Sequence, residues 1–231
     1  MRFVLEMLGQ GLDRIVSGDA AVWSTVWRTV RLALESTALA LLLGLLPGLW
    51  LGEARSRARR AGLVVANAGL GLPPVVLGVF LALLLLPSNL LGGLEWTYTL
   101  NAVVLAQTLL ALPIVIALTA VAVAGLPRGL LDQAQAFGAS WPRRALLALR
   151  EARVGVLAAV IAALGSALAE VGAVIIVGGN LRGSTNTLAS TVILDLRAAD
   201  PAGATAQVLV LLTLVLVTGV LLTLLQHRIA R

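Results

Sequence analysis

Five stretches of this chain carry almost no charge, and each is long enough to cross the hydrocarbon core of a bilayer. They run at about 29–51, 61–86, 99–124, 154–177 and 203–226. A helix rises about 1.5 Å per residue, so roughly 20 apolar residues cover about 30 Å. In hydrocarbon each backbone N–H and C=O must be satisfied within the protein, and long apolar segments achieve this as helices. The expectation is therefore an all-α polytopic membrane protein of five transmembrane helices in a single domain, 1–231. Composition agrees. Of the 231 residues 59% are hydrophobic and 12% charged, about half the charge of an ordinary soluble domain. No polar stretch is long enough to bury a core of its own.

The net charge of +6 rests on 17 arginines and no lysine. Without a soluble module to present them, they do not read as a nucleic-acid surface; in so apolar a chain they set orientation. Arg55, Arg57, Arg59 and Arg60 follow the first window. Arg128, Arg143, Arg144, Arg150 and Arg153 lie in the connection 125–153, and Arg228 and Arg231 close the chain. Those arginines share one side. Arg2, Arg14, Arg28, Arg182 and Arg197 lie on the other, with Arg31 just inside the first span. The excess places the N-terminus outside, and the C-terminus and the connection 125–153 in the cytoplasm. Ahead of the first window, Phe3, Val4, Met7, Leu8, Leu12 and Ile15 recur at helical spacing among charged residues. That pattern fits a short helix on the membrane surface rather than a signal peptide, with a frayed terminus as the plainer alternative.

Enzymatic chemistry has little to work with. There is no Cys and one His, His227, which removes disulfides and leaves almost no metal-site chemistry. A phosphate-binding loop needs a lysine the chain lacks. No two acids share a depth within the windows, and a serine nucleophile would find no base. Hydrolysis of ATP by this chain is not expected, nor is a resident cofactor or metal.

The windows themselves carry irregularities. Pro73 and Pro74, preceded by Gly69 and Gly71, remove two backbone donors from the second, so a kink is expected; it either lines a pathway or is simply tolerated. The fourth window is rich in small residues, from Ala158 to Ala167, suited to close helix contacts. Glu170 lies about 24 Å along that window from Val154. A carboxylate there marks a functional site or a buried structural bond, Arg31 being a candidate partner. Gly178-Gly179-Asn180 then terminates the helix. Beyond it Arg182, Ser184, Thr185, Asn186 and Thr187 offer donors to an anion or a docking protein, or form a solvated loop. Asp195 and Asp200 would oppose an anion there.

The polar segment 131–153 is the longest on its side. Asp132, Gln133 and Ala134 begin one to two helical turns that close at Phe137-Gly138-Ala139, and Trp141-Pro142 opens a second helix carrying Leu146, Leu147 and Leu149 among arginines. Such an elbow is shaped to enter a partner's groove, or else rests on the lipid surface.

Asp132-Gln133-Ala134, followed by Gly138, resembles the Glu-Ala-Ala-x-x-x-Gly signature in the cytoplasmic coupling loop of ABC importer permeases. Ala148-Leu149-Arg150-Glu151 stands where the family has an Ile-x-Leu-Pro-like ending. Residues 169–180 resemble the fourth-span signature of the tungstate importer permeases, relatives of the molybdate ones, with a threonine-rich segment following at 184–191. The resemblance implies the type I importer permease fold and import of a tetrahedral oxyanion, tungstate or molybdate, across the inner membrane by alternating access. It implies a second copy of the chain and an extracytoplasmic oxyanion-binding protein. It also implies two ATPase subunits that use ATP and Mg and grip Asp132, Gln133, Ala134, Phe137, Gly138, Ala139 and Trp141. Glu170, Gly178, Gly179 and Asn180 become pathway or gate candidates. Two other readings stand beside this one: a proton-coupled carrier using Glu170, and a membrane assembly factor without transport.

Overall fold

The computed structural model describes residues 2–53, 56–127 and 129–230. Arg55, Arg128 and Arg231, which enter the arginine asymmetry, lie outside the described residues. Among the described residues the chain is helical with no strand. In order come α1 (Arg2–Val16), α2 (Ala20–Gly52), α3 (Arg57–Leu70), α4 (Pro74–Leu85), a 3-10 turn (Gly92–Leu94) and α5 (Leu100–Ala124). Then follow α6 (Leu130–Ala136), α7 (Trp141–Glu151), α8 (Arg153–Ala169), α9 (Gly172–Gly178), α10 (Leu188–Arg197) and α11 (Pro201–Ala230). Three of these are single helices long and apolar enough to cross a membrane: α2, α5 and α11.

The elements differ from the apolar windows in three places. The helix of the first window, α2, begins at Ala20 and runs 33 residues, about 50 Å at 1.5 Å per residue. That exceeds the hydrocarbon thickness, so Arg28, Arg31 and Glu35 need not enter it. The second window is broken outright rather than kinked. α3 ends at Gly71, whose N–H bonds to the Ala68 carbonyl while the Leu72 N–H bonds to that of Gly69, and Pro73 and Pro74 sit at the cap and first turn of α4, where a missing N–H costs least. The fourth window is also two helices, α8 and α9, separated at Glu170 and Val171.

The chain divides into two compact units. One comprises Met1–Ser36, Pro73–Thr108 and Gly165–Thr218. Here the half-helices α4 and α9 meet through glycines. A Cβ on Gly78 would lie 2.9 Å from the Ala173 Cα, and one on Gly172 would lie 2.8 Å from Val75 Cγ2. α1 is tied to the α10–α11 turn by a two-pronged pair in which Arg14 donates to Asp200 at 2.8 and 3.0 Å.

The other unit comprises Thr37–Leu72, Leu109–Leu164 and Gly219–Arg231. Its centre is the contact of α2 with α5. Gly44, Gly48 and Gly52 stand one helical turn apart, and a Cβ on Gly48 or Gly52 would lie 2.7 Å from Thr119 Cβ or 2.5 Å from Val123 Cβ. Bare backbone lets the two axes approach where lipid provides no hydrophobic drive between them. α8 adds its small face: Ala40, Ala111, Val115 and Ala163 form one fully buried cluster.

Candidate functional site

The elbow belongs to the second unit. In α6 the partly buried Leu131 and Ala134 face inward, while Asp132, Gln133 and Gln135 are exposed. The helix stops at Phe137, whose N–H bonds to the Gln133 carbonyl, and Gly138 follows at φ +83°. A side chain at that φ costs about 1–2 kcal/mol, yet a Cβ on Gly138 would meet nothing within 4 Å. The glycine is there for the turn, and the space around it is open. Phe137 is 90% exposed. α7 starts after Ser140 with Pro142 in its first turn, and it bends 75° into α8.

The stem of the elbow is fixed while its tip is free. Ala145, Ala148 and Ala152 are buried against Leu49 of α2 and Val123 of α5, with Leu131, Trp141 and Leu149 packed around them. Arg144 lies 3.5 Å from Glu53, both side chains being nearly buried at 15% and 9% exposed, and its guanidinium also donates to Gln135 Oε1. Arg59 donates to the Glu53 carbonyl at 3.0 Å and lies over the Trp50 ring at 4.8 Å. Glu53, Arg59, Gln135 and Arg144 border a polar cavity of about 490 Å³ that also touches Asp132.

The second candidate group lies in the other unit. Glu170 sits at the break between α8 and α9 and is half-buried. Its Oε1 accepts the Ala173 N–H at 3.0 Å, satisfying one of the open donors at the start of α9. Arg31, expected as a candidate partner, instead pairs with Glu35 at 2.7 Å on its own helix. Gly178, Gly179 and Asn180 close α9. Gly179 has φ +70°, and a Cβ there would lie 2.8 Å from the Tyr98 ring. The Asn180 amide donates to the Ser190 carbonyl at 3.2 Å, and Thr185 Oγ1 donates to the Gly178 carbonyl.

The segment divides: Arg182 and Ser184 are exposed, as a solvated loop would have them, whereas the threonine-rich part from 185 on is not a set of open donors. Thr185, Asn186, Thr187, Ser190 and Thr191 are all buried. Thr187 and Ser190 form a capping box for α10. Arg28 donates to the Asn186 side-chain and main-chain oxygens at 2.7 and 3.0 Å and to the Gly183 carbonyl at 3.0 Å. The acids nearby are paired: Arg182 meets Asp195 at 2.7 Å, and Arg14 meets Asp200. Burial pushes the Asp200 carboxyl up, but the Gly203 N–H, the Arg14 hydrogen bond and charge, and the Arg182 charge together hold it below the ordinary carboxylate range. Sequence reasoning missed Glu53, Arg28 and the Gly44-Gly48-Gly52 row; the four-residue spacing of that row is the one signal that was present.

Residues 40–231 match the family described as the inner membrane component of binding-protein-dependent transport systems. A "probable anion ABC transporter permease protein" of Haloferax volcanii is 40% identical over 157 residues, 66% of this chain and 68% of its own length. The tungstate uptake system permease protein of Peptoclostridium acidaminophilum is 27% identical over 192 residues, 83% of this chain and 84% of its own. The molybdenum transport system permease protein of Azotobacter vinelandii is 30% identical over 169 residues, 70% and 75% of the two chains. An inward-facing structure of the MetNI methionine ABC transporter superposes with a TM-score of 0.71, covering 90% of this chain and 95% of that one at 18% identity.

Proposed function

The chain belongs to the inner-membrane components of binding-protein-dependent transport systems and is an ABC importer permease subunit, and we propose that it carries tungstate, with molybdate as the nearest competitor. The names of the Peptoclostridium and Azotobacter relatives support that choice of cargo. We place the N-terminus outside and the C-terminus in the cytoplasm, because the arginine excess lies with the connection 125–153 and the tail. Two copies form the pathway, and an extracytoplasmic protein delivers the oxyanion. A separate ATPase dimer, using ATP and Mg, grips the elbow through Asp132, Gln133, Ala134, Phe137, Gly138, Ala139 and Trp141.

One observation carries the coupling role. The Phe137-Gly138 tip is open to a partner while its stem is locked to α2 and α5. A lever needs both properties. Force on the tip is conveyed by α7 through Ala145 and Ala148 into α2 and α5, continuous helices of 33 and 25 residues, instead of being lost in a flexible loop. Glu170, Gly178, Gly179 and Asn180 act as the hinge and cap of α9, a gate element whose carboxylate stays on its own backbone and does not ligate the anion. Family membership favours this over a proton-coupled carrier or an assembly factor.

The test is reconstitution of the chain with its ATPase subunit and binding protein in proteoliposomes. ATP-dependent tungstate uptake is expected, inhibited by molybdate, and abolished by Gly138→Arg with insertion and folding intact. Uptake that persists without the ATPase subunit, or unchanged uptake in Gly138→Arg, would overturn the assignment.

A further inference from the structure

The corner where α7 bends into α8 holds a groove of about 900 Å³, at the upper end of the range for small-molecule clefts. It is lined by Arg150, Glu151 and Arg153 together with apolar side chains, among them Val154, Leu157 and Val160 of α8 and Ile229 of α11. All three charged residues are exposed, and among the described residues none of them takes part in an ion pair. They fall where the polar connection gives way to the apolar window of α8. The three α8 residues follow at three-residue steps, so they make a strip about 9 Å long on one face of the helix.

We propose that this groove binds one phospholipid with an amine headgroup, phosphatidylethanolamine. The arrangement is complementary to that molecule in order and in sign. The two guanidiniums bracket a phosphate, for which arginine is suited by its planar fork of donors. The carboxylate of Glu151 in the same lining accepts the ammonium, and an acyl chain runs along the Val154, Leu157 and Val160 strip. A purely anionic headgroup would satisfy the arginines but set its charge against Glu151. A lipid seated here would brace the bend that joins the elbow to its membrane helix.

The full-length permease, solubilised and stripped of endogenous lipid, is titrated with phosphatidylethanolamine or phosphatidylglycerol and read by native mass spectrometry. Wild type is expected to retain phosphatidylethanolamine in preference to phosphatidylglycerol. Arg150→Gln with Arg153→Gln should weaken retention by about tenfold or more, the loss expected for charge-assisted hydrogen bonds. Glu151→Gln should keep phospholipid but lose the preference. Val160→Trp, which fills the strip and leaves every charge in place, should exclude the lipid independently. Thermal midpoints of the variants verify folding. Retention unaffected by the double arginine change, a wild-type preference for phosphatidylglycerol, or efficient disulfide formation between copies bearing Leu157→Cys would each overturn the proposal, the last because a second chain would then cover the groove.

Discussion

Phe137 stands 90% exposed at the tip of the elbow, and its truncation to alanine separates docking from folding. So little of the ring is covered that its loss removes almost no buried area from the chain itself. The isolated permease should therefore melt with a change in stability inside about 0.5 kcal/mol, the range of an ordinary surface substitution. Against a partner the same ring has much to contribute. Full burial of a phenylalanine is worth about 1.5–3 kcal/mol, so Phe137→Ala should weaken ATPase-subunit binding by roughly 10- to 150-fold per elbow. The neighbouring Gly138→Ala provides the contrast. A Cβ there meets nothing, so its cost is backbone strain of about 1–2 kcal/mol in the chain's own stability, with a smaller effect on docking. Both are measured by titrating purified ATPase subunit onto permease held in nanodiscs at fixed salt, alongside thermal unfolding of permease alone. Binding within about twofold of wild type in Phe137→Ala would show that the tip is not an anchor. Partitioning of that variant away from lipid, with unchanged ATPase affinity, would place the elbow on the membrane surface instead.

Three further outcomes follow from the polar contacts. At 3.5 Å the Glu53–Arg144 pair has a Coulomb attraction of about 5 kcal/mol at an effective dielectric of about 20, much of it offset by desolvation. A double-mutant cycle with Glu53→Gln and Arg144→Met should still give a coupling of about 1–3 kcal/mol; additivity would mean that the pair does not hold the elbow. Glu170→Gln keeps an oxygen for the Ala173 N–H and should transport nearly as wild type, whereas Glu170→Ala should lose about 1 kcal/mol of stability, typical of a lost helix cap. Abolished uptake in the glutamine variant alone would instead point to a proton-carrying role. Asp200 is held below the usual carboxylate range, so its pairing with Arg14 stabilises the fold at pH above the unfolded carboxyl value and is lost as pH falls through the lowered folded value. Protection of the α1 amides, measured against their intrinsic exchange rates, should fall on acidification, and in Asp200→Asn it should be low already at pH 7. Identical exchange in the two proteins at pH 7 would refute that link.

What could be read from the sequence was whatever depends on local pattern. Charge-free windows of bilayer length gave the helical membrane architecture because hydrocarbon leaves the backbone so few choices. The elbow was legible because Gly138 and Pro142 punctuate a polar run with helical periodicity on both sides. Pro73-Pro74 signalled an interruption, but only the structure shows that Gly71 makes it a full break. The break at Glu170 had no such sign, since Glu170 and Val171 are compatible with continuing a helix. The pairing of Arg31 was missed although Glu35 lies four residues on, the spacing of helical neighbours. Burial of the threonine-rich segment was not accessible at all. It depends on Arg28 and Thr29, far away in sequence, arriving to take up its carbonyls and donate or accept at its turn.

The fate of the acids ties these points together. Glu35, Glu53, Asp195 and Asp200 each meet an arginine, Asp19 accepts the Ala21 N–H, and Glu170 accepts that of Ala173. In a chain that is 12% charged, these carboxylates are committed to holding segments together or closing helix ends, save Glu35, whose partner lies one turn away on its own helix. A polar residue in an apolar sequence is for that reason a poor guide to a ligand site, since an unpaired one would be costly there and the fold tends to supply its partner. The better guide is a group the fold leaves without work of its own. Phe137 at the elbow tip and the Arg150, Glu151 and Arg153 lining of the α7–α8 groove both meet that description. They sit at the two ends of α7, the helix whose middle is locked to α2 and α5. What binds at either end therefore acts on the same lever.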